Sequence, residues 1–325
     1  MTAQRRNLSP ALVLLFLAPL VGELLSGSAP PAEFFNPIGL LVLLVLYGGG
    51  ALLIREWLQR WDKGWPSLLL LGATYGLVEE GLTVKSLFDP HWQDLGVLGT
   101  YGRWAGVNWV WSLELTLFHM VFSIAIPIVL VRLMFPGHLD RPWLGRWTFR
   151  LVLLLFVADV AFGYLLLTPY RPPMALYVLT LVAVLGLFAL ARVWPHHPGG
   201  AMGRAVPRPW RFWLIGFLAT LGFFVVSWGL PSAGAPVWLT MGLMLAVFLV
   251  PALLVRRMSG QGTEWQDKHL WALAAGPLSV LILLAPIQEL DAARADDTRG
   301  MAVVGLAFAL LLAGLYGRVR QRSNS

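Results

Sequence analysis

Cysteine is absent from this 325-residue sequence, so a disulfide framework, a thiolate metal site and a cysteine nucleophile are all excluded. That absence assigns no redox compartment. Charge is scarce as well: Asp, Glu, Lys and Arg make up 13% of the chain, and no polar stretch is long enough to form a soluble domain, a low-complexity tail or a long linker. The formal charge of +7 is spread over short connections instead of forming one stripe, which argues against nucleic acid as a partner.

What fills the sequence is apolar residue, 58% of the chain, with a mean hydropathy of +0.70. Apolar runs of about 20 residues, the length a helix needs to cross a bilayer, recur near residues 8–27, 37–56, 66–87, 107–131, 147–168, 173–194, 210–230, 236–256, 269–288 and 300–317. In hydrocarbon every backbone amide must be satisfied within its own segment or a closed barrel, and runs this long are helical. The expected fold is all-α, a polytopic membrane bundle of about ten transmembrane helices. Residues 1–325 then form one transmembrane domain whose first partner is the lipid bilayer.

Assigning the connections to alternate sides places 19 of the 24 Lys and Arg residues on the side of the N-terminus. Lys85, Arg103, Arg171, Arg294 and Arg299 fall on the other. Cytoplasmic loops retain the positive excess, so both termini are expected in the cytoplasm and the chain in the plasma membrane. Arg5 and Arg6 before an apolar run ending at Ser26-Gly27-Ser28-Ala29 also have the outline of a signal peptide. Glu23 within that run favours an uncleaved helix, with its carboxylate near the outer boundary. The longest external connection, Asp89 to Gly106, interleaves four glycines with Trp92, Tyr101 and Trp104, a pattern for an interfacial or re-entrant loop. His196 and His197 sit in a flexible connector, and two ligands cannot complete a metal shell.

Intramembrane ionisable residues divide the chain. Residues 1–170 carry Glu23, Glu79, Glu80, Glu114, His119 and Asp159 inside apolar segments, whereas residues 171–325 carry almost none and read as scaffold. An ionisable side chain at bilayer depth costs ~2.5 to 3.5 kcal/mol on the lenient insertion scale and is a functional-site candidate by default. Adjacent Glu79 and Glu80 in one apolar helix are the sharpest case. By depth, Glu79, Glu80, His119, Glu114 and Asp159 share one slab of the bilayer. At about 100° per residue, Asn108, Ser112, Thr116, His119 and Ser123 form one stripe, and Glu114 points about 140° away from His119. Gly72, Tyr75, Gly76 and Glu79 share a face that admits a close partner helix, so Glu79 is paired with His119 first, while Glu80 orients its neighbour or meets Lys85. Asn108, Ser112, Glu114, Asp159 and Trp111 are the candidate residues for lining a cavity around them. Tyr47 and Gly48–Gly50 read as a close-packing patch, and Arg55 with Glu56 as a boundary ion pair.

Two carboxylates side by side in low dielectric resist joint ionisation and titrate as a coupled unit. With an imidazole in reach, one could activate a water while His119 stabilises developing charge. No resident cofactor is implied, although Glu79, Glu80 and His119 are a donor set that zinc or manganese accepts.

Glu79-Glu80, followed about 40 residues later by an intramembrane histidine, resembles the CAAX-processing and bacteriocin-processing (CPBP) family of intramembrane proteases over residues 66–123. That resemblance implies Glu79, Glu80 and His119 as catalytic groups acting on a membrane peptide. Val84 stands where the family has arginine, Leu115 where it has phenylalanine, and the later histidine-asparagine motif has no counterpart. The same residues equally fit a ten-helix proton-coupled transporter of a small solute, with Glu114 and Asp159 as further ligands, or a non-catalytic membrane scaffold.

Overall fold

The computed structural model describes residues 9–93, 95–139, 141–195, 205–259 and 265–324. The connector containing His196 and His197, and the basic pair Arg5 and Arg6, lie outside them. Each expected segment is helical: α1 (Pro10–Leu25), α2 (Pro37–Arg60), α3 (65–83), α4 (Trp109–Met134), α5 (Arg146–Leu167), α6 (Met174–Val193), α7 (Pro209–Ser232), α8 (Val237–Met258), α9 (Asp267–Leu290) and α10 (Met301–Asn324). Among the described residues, eight of these are long and apolar enough to cross a membrane. α1 is shorter, and α3, with its two glutamates, is outside that set.

Local chemistry sets the helix starts. Proline occupies the first turn of α1, α2, α3 and α7, where its missing N–H costs nothing. Asn36 Oδ1 accepts from the amides of Ile38 and Gly39, capping α2, and Asn108 Oδ1 accepts from Trp111 N at 3.0 Å, capping α4.

α4 is the axis of the bundle. The central stretch of α4 is 83% buried, against 56% for α9 and 11% for both α5 and α8, so the latter two ride the lipid face. α1, α2, α3 and α9 pack around α4, with Leu14, Val21, Ala51, Ile124, Leu130 and Leu278 wholly or almost wholly enclosed.

The external connection, expected as an interfacial or re-entrant loop, is a built cap. Arg103–Trp104 pairs antiparallel with Val107–Asn108. The turn between them is Ala105-Gly106, both at positive φ (51° and 78°), the geometry of a primed hairpin turn. The Arg103 guanidinium donates to the carbonyls of Phe88, Asp89 and Gly99, and Tyr101 Oη donates to Ala235 O at 2.9 Å, seating the cap on the start of α8.

Candidate functional site

Four helices deliver polar side chains to one level. At about 1.5 Å per residue, Glu23 lies about 20 Å along α1 and Glu79 about 21 Å along α3. Tyr47 and His119 each lie about 15 Å into α2 and α4, whose directions oppose those of α1 and α3. At that level all four helices open into π-turns, Leu20–Leu25, Leu44–Gly48, Val78–Thr83 and His119–Ala125. The wider turn moves hydrogen bonding to i→i+5, as in Val84 N donating to Glu79 O at 2.9 Å, and such turns concentrate at functional sites.

His119 is the centre. Nε2 pairs with Glu80 Oε1 at 2.9 Å, and Nδ1 pairs with Ser123 Oγ at 2.9 Å. Glu79 Oε2 stands 3.2 Å from Nδ1 without hydrogen-bond geometry. The two carboxylates therefore differ. Glu80 is held at both oxygens, since Oε2 accepts from Ser86 Oγ, which in turn accepts from Trp111 Nε1 at 3.1 Å. Glu79 keeps one buried oxygen without a hydrogen bond, and the buried Tyr75 hydroxyl beside it also lacks a well-aligned partner.

Behind Glu79, the Tyr47 hydroxyl donates to Glu23 Oε1 and is within reach of Glu79. The Tyr47 and Tyr75 rings each stand 5.9 Å from the imidazole and 5.7 Å from one another, enclosing it in aromatic surface. Three carboxylates and one imidazole thus meet in one enclosed polar cluster. An apolar cavity of about 140 Å³, bounded by Gly50, Leu71, Tyr75, Val78 and Phe156, abuts the tyrosine.

Several positions differ from expectation. Glu23 is in the cluster, not at the outer boundary, because α1 is only about 24 Å long and ends short of a full span. Tyr47 belongs to the site as well as to the packing patch. Glu80 joins His119 at least as closely as Glu79 does: from the π-turn over 78–83 the two carboxylates reach opposite ring nitrogens, Glu80 at Nε2 and Glu79 beside Nδ1. Lys85 leaves Glu80 alone and donates to the carbonyls of Gly163, Tyr164 and Thr168 at the end of α5. Asn108 and Ser112 do not line the cluster: Asn108 caps α4 and also donates to Leu98 O, and Ser112 Oγ donates to Asn108 O at 2.6 Å. Glu114 turns to α7, where Trp228 Nε1 donates to it at 2.9 Å. Asp159 stands apart on α5, its Oδ2 buried without a partner. Trp111 reaches the site through Ser86. The signal that could have located Glu23 is the one that located Glu79, a carboxylate inside an apolar run; Tyr47 and Tyr75 carry no such signal.

Residues 12–323 match the model of an uncharacterized membrane protein family. The chain belongs to that family. It is a multi-pass membrane protein, with several apolar helices around a buried Glu/Glu/His group. An uncharacterized protein of Archaeoglobus fulgidus is 31% identical to this family member over 116 residues, which is 35% of this chain and 35% of that protein. The matched stretch thus spans about a third of the relative's length. No solved structure matches.

Proposed function

We propose that this membrane protein is an intramembrane hydrolase of glutamate type, in the manner of the CPBP proteases that residues 66–123 resemble. The supporting observation is the unequal pair. Glu80 is fixed by His119 and Ser86, while Glu79 presents an oxygen without a hydrogen bond beside His119 and Tyr75. Glu79 is the general base. It takes a proton from water as the water oxygen bonds to the substrate carbonyl carbon, and the proton then passes to the leaving group as the scissile bond breaks. Glu80 positions His119, whose imidazole stabilises the developing oxyanion, and the Tyr75 hydroxyl, which has no hydrogen-bond partner of its own, is a further donor beside Glu79. α6–α10 serve as scaffold, the termini are cytoplasmic, and the chain lies in the plasma membrane.

Ligand atoms of Glu79, Glu80 and His119 lie within 4.8 Å of one another, which suits a divalent cation. Elemental analysis of the purified protein, beside an E79Q/E80Q control, distinguishes a metal-assisted from a purely acid–base site.

The test is cleavage of a panel of fluorogenic transmembrane peptides in proteoliposomes. Glu79→Gln is expected to abolish cleavage with unfolding temperature unchanged; cleavage that survives the substitution overturns the assignment. A second reading has its own support: Glu23, Tyr47, Glu79, His119, Glu80 and Ser86 form a continuous polar chain across four helices, the form of a proton relay. Solute uptake that follows an imposed proton gradient, with no peptide cleaved, would select that transporter reading.

A further inference from the structure

A second feature lies at the opposite end of α1 from the Glu/His cluster. The first two-thirds of α1, the C-terminal turns of α4 and α10 and the segment after α4 enclose a cleft of about 1170 Å³. Its walls are apolar, with Leu12, Phe16 and Leu20 from α1 and Leu311 from α10, and its mouth carries Arg141 and Arg318. Leu12 and Phe16 are 45% and 43% exposed, so the apolar lining is presented to whatever enters. Among the described residues no carboxylate lines the cleft, and neither guanidinium makes a hydrogen bond or ion pair to them.

The cleft is held open by buried chemistry. Glu56, wholly enclosed, accepts from Arg55 at 2.9 Å, from Arg60 at 3.0 Å and from the Trp143 amide at 2.6 Å. Arg55 lies 3.7 Å over the Trp143 ring and donates to the carbonyls of His138 and Leu139. The segment that presents Arg141 is therefore tied to α2 at several points. On the other wall, Arg322 Nη1 donates to Leu133 O at 2.9 Å, pinning α10 to the end of α4.

The dimensions select the occupant. From Pro10 to Leu20 the cleft follows α1 for about 15 Å, and one leaflet of a ~30 Å hydrocarbon core has the same depth. Apolar walls one leaflet deep under two guanidiniums that find no carboxylate among the described residues match an acyl chain ending in a negatively charged headgroup, and basic pockets between membrane helices are used this way. We propose that this cleft holds one anionic phospholipid, its phosphate between Arg141 and Arg318 and an acyl chain along Leu12, Phe16 and Leu20. This assignment is independent of the hydrolase reading.

The test uses the full-length protein, purified and delipidated in detergent. Phosphatidylglycerol or phosphatidylcholine is added, unfolding temperature is recorded, and retained lipid is counted by native mass spectrometry. The wild type is expected to retain one phosphatidylglycerol and to be stabilised by it more than by phosphatidylcholine. Arg141→Gln/Arg318→Gln is expected to weaken phosphatidylglycerol retention by about tenfold to thirtyfold, with unfolding temperature in phosphatidylcholine unchanged. Equal retention of the two lipids, or equal retention by wild type and double variant, overturns the proposal. So does lipid retention that emerges only once residues 1–8 are deleted, which would make that segment the occupant, or a dimer in place of bound lipid.

Discussion

Gly76 backs directly onto His119: a β-carbon at position 76 would stand 3.3 Å from His119 Cβ and 3.1 Å from Thr116 Cα. Gly72, one turn earlier, meets Met120 Cα at 2.9 Å in the same way. Small residues let the backbones of α3 and α4 approach, and that approach is what brings Glu79 and Glu80 within reach of the imidazole.

Enlarging Gly76 should therefore damage site and stability together. Gly76→Val is expected to cost roughly 1 to 3 kcal/mol, the usual range for overpacking, and to abolish whatever activity the site supports. Gly186→Ala on α6, where nothing lies within 4 Å of the added carbon, should be neutral or stabilising. Thermal unfolding in detergent compares the two; equal costs would refute the close-packing account.

His119 and Glu80 should be energetically coupled. Removing one member of a buried, hydrogen-bonded pair leaves the other uncompensated and costs roughly 3 to 5 kcal/mol. A double-mutant cycle with His119→Ala and Glu80→Gln should show the double variant far less destabilised than the sum of the single ones. Additive losses would mean that the 2.9 Å contact contributes nothing of its own.

Glu114 separates structure from chemistry. Trp228→Phe deletes its indole donor and is expected to cost ~0.6 to 1.7 kcal/mol, the span measured for interhelical hydrogen bonds in membranes. Activity per folded molecule should stay at the wild-type level, because Glu114 faces α7 and not His119. A selective loss of activity without loss of stability would place Glu114 in the site.

Lys85 ties the end of α3 to the end of α5 through three carbonyls. Lys85→Met leaves those carbonyls without their donor and should lower stability by roughly 1 to 3 kcal/mol, most of it as early opening of the segment around Thr168. Hydrogen exchange resolved by peptide measures this; uniform loss across the chain would contradict the local role.

Much of this organisation was legible in composition and depth. Ten helices follow from ten apolar runs, because backbone amides in hydrocarbon leave few alternatives, and the level of Glu79 and His119 follows from counting residues at a fixed rise. Orientation was less legible. A period of 3.6 residues turns Glu80 away from His119, whereas in the structure Glu80 pairs with His119 Nε2 from a stretch, 78–83, whose hydrogen bonding shifts to i→i+5. No side-chain pattern announces a π-turn, since it is one residue of register set by packing against neighbouring helices.

The sequence by itself determined that acid groups are placed in an apolar helical bundle and, for Glu79 and His119, at what depth, since hydropathy and helix rise are properties of the chain alone. Only the tertiary structure decided which of them meet. Glu23, Tyr47, Tyr75 and Ser123 join Glu79, Glu80 and His119, whereas Asn108, Ser112, Glu114 and Asp159 do not. The selection depends on the short length of α1, on π-turns at one level of four helices and on glycines pressed against α4, and each of these is a relation between helices that no single segment encodes.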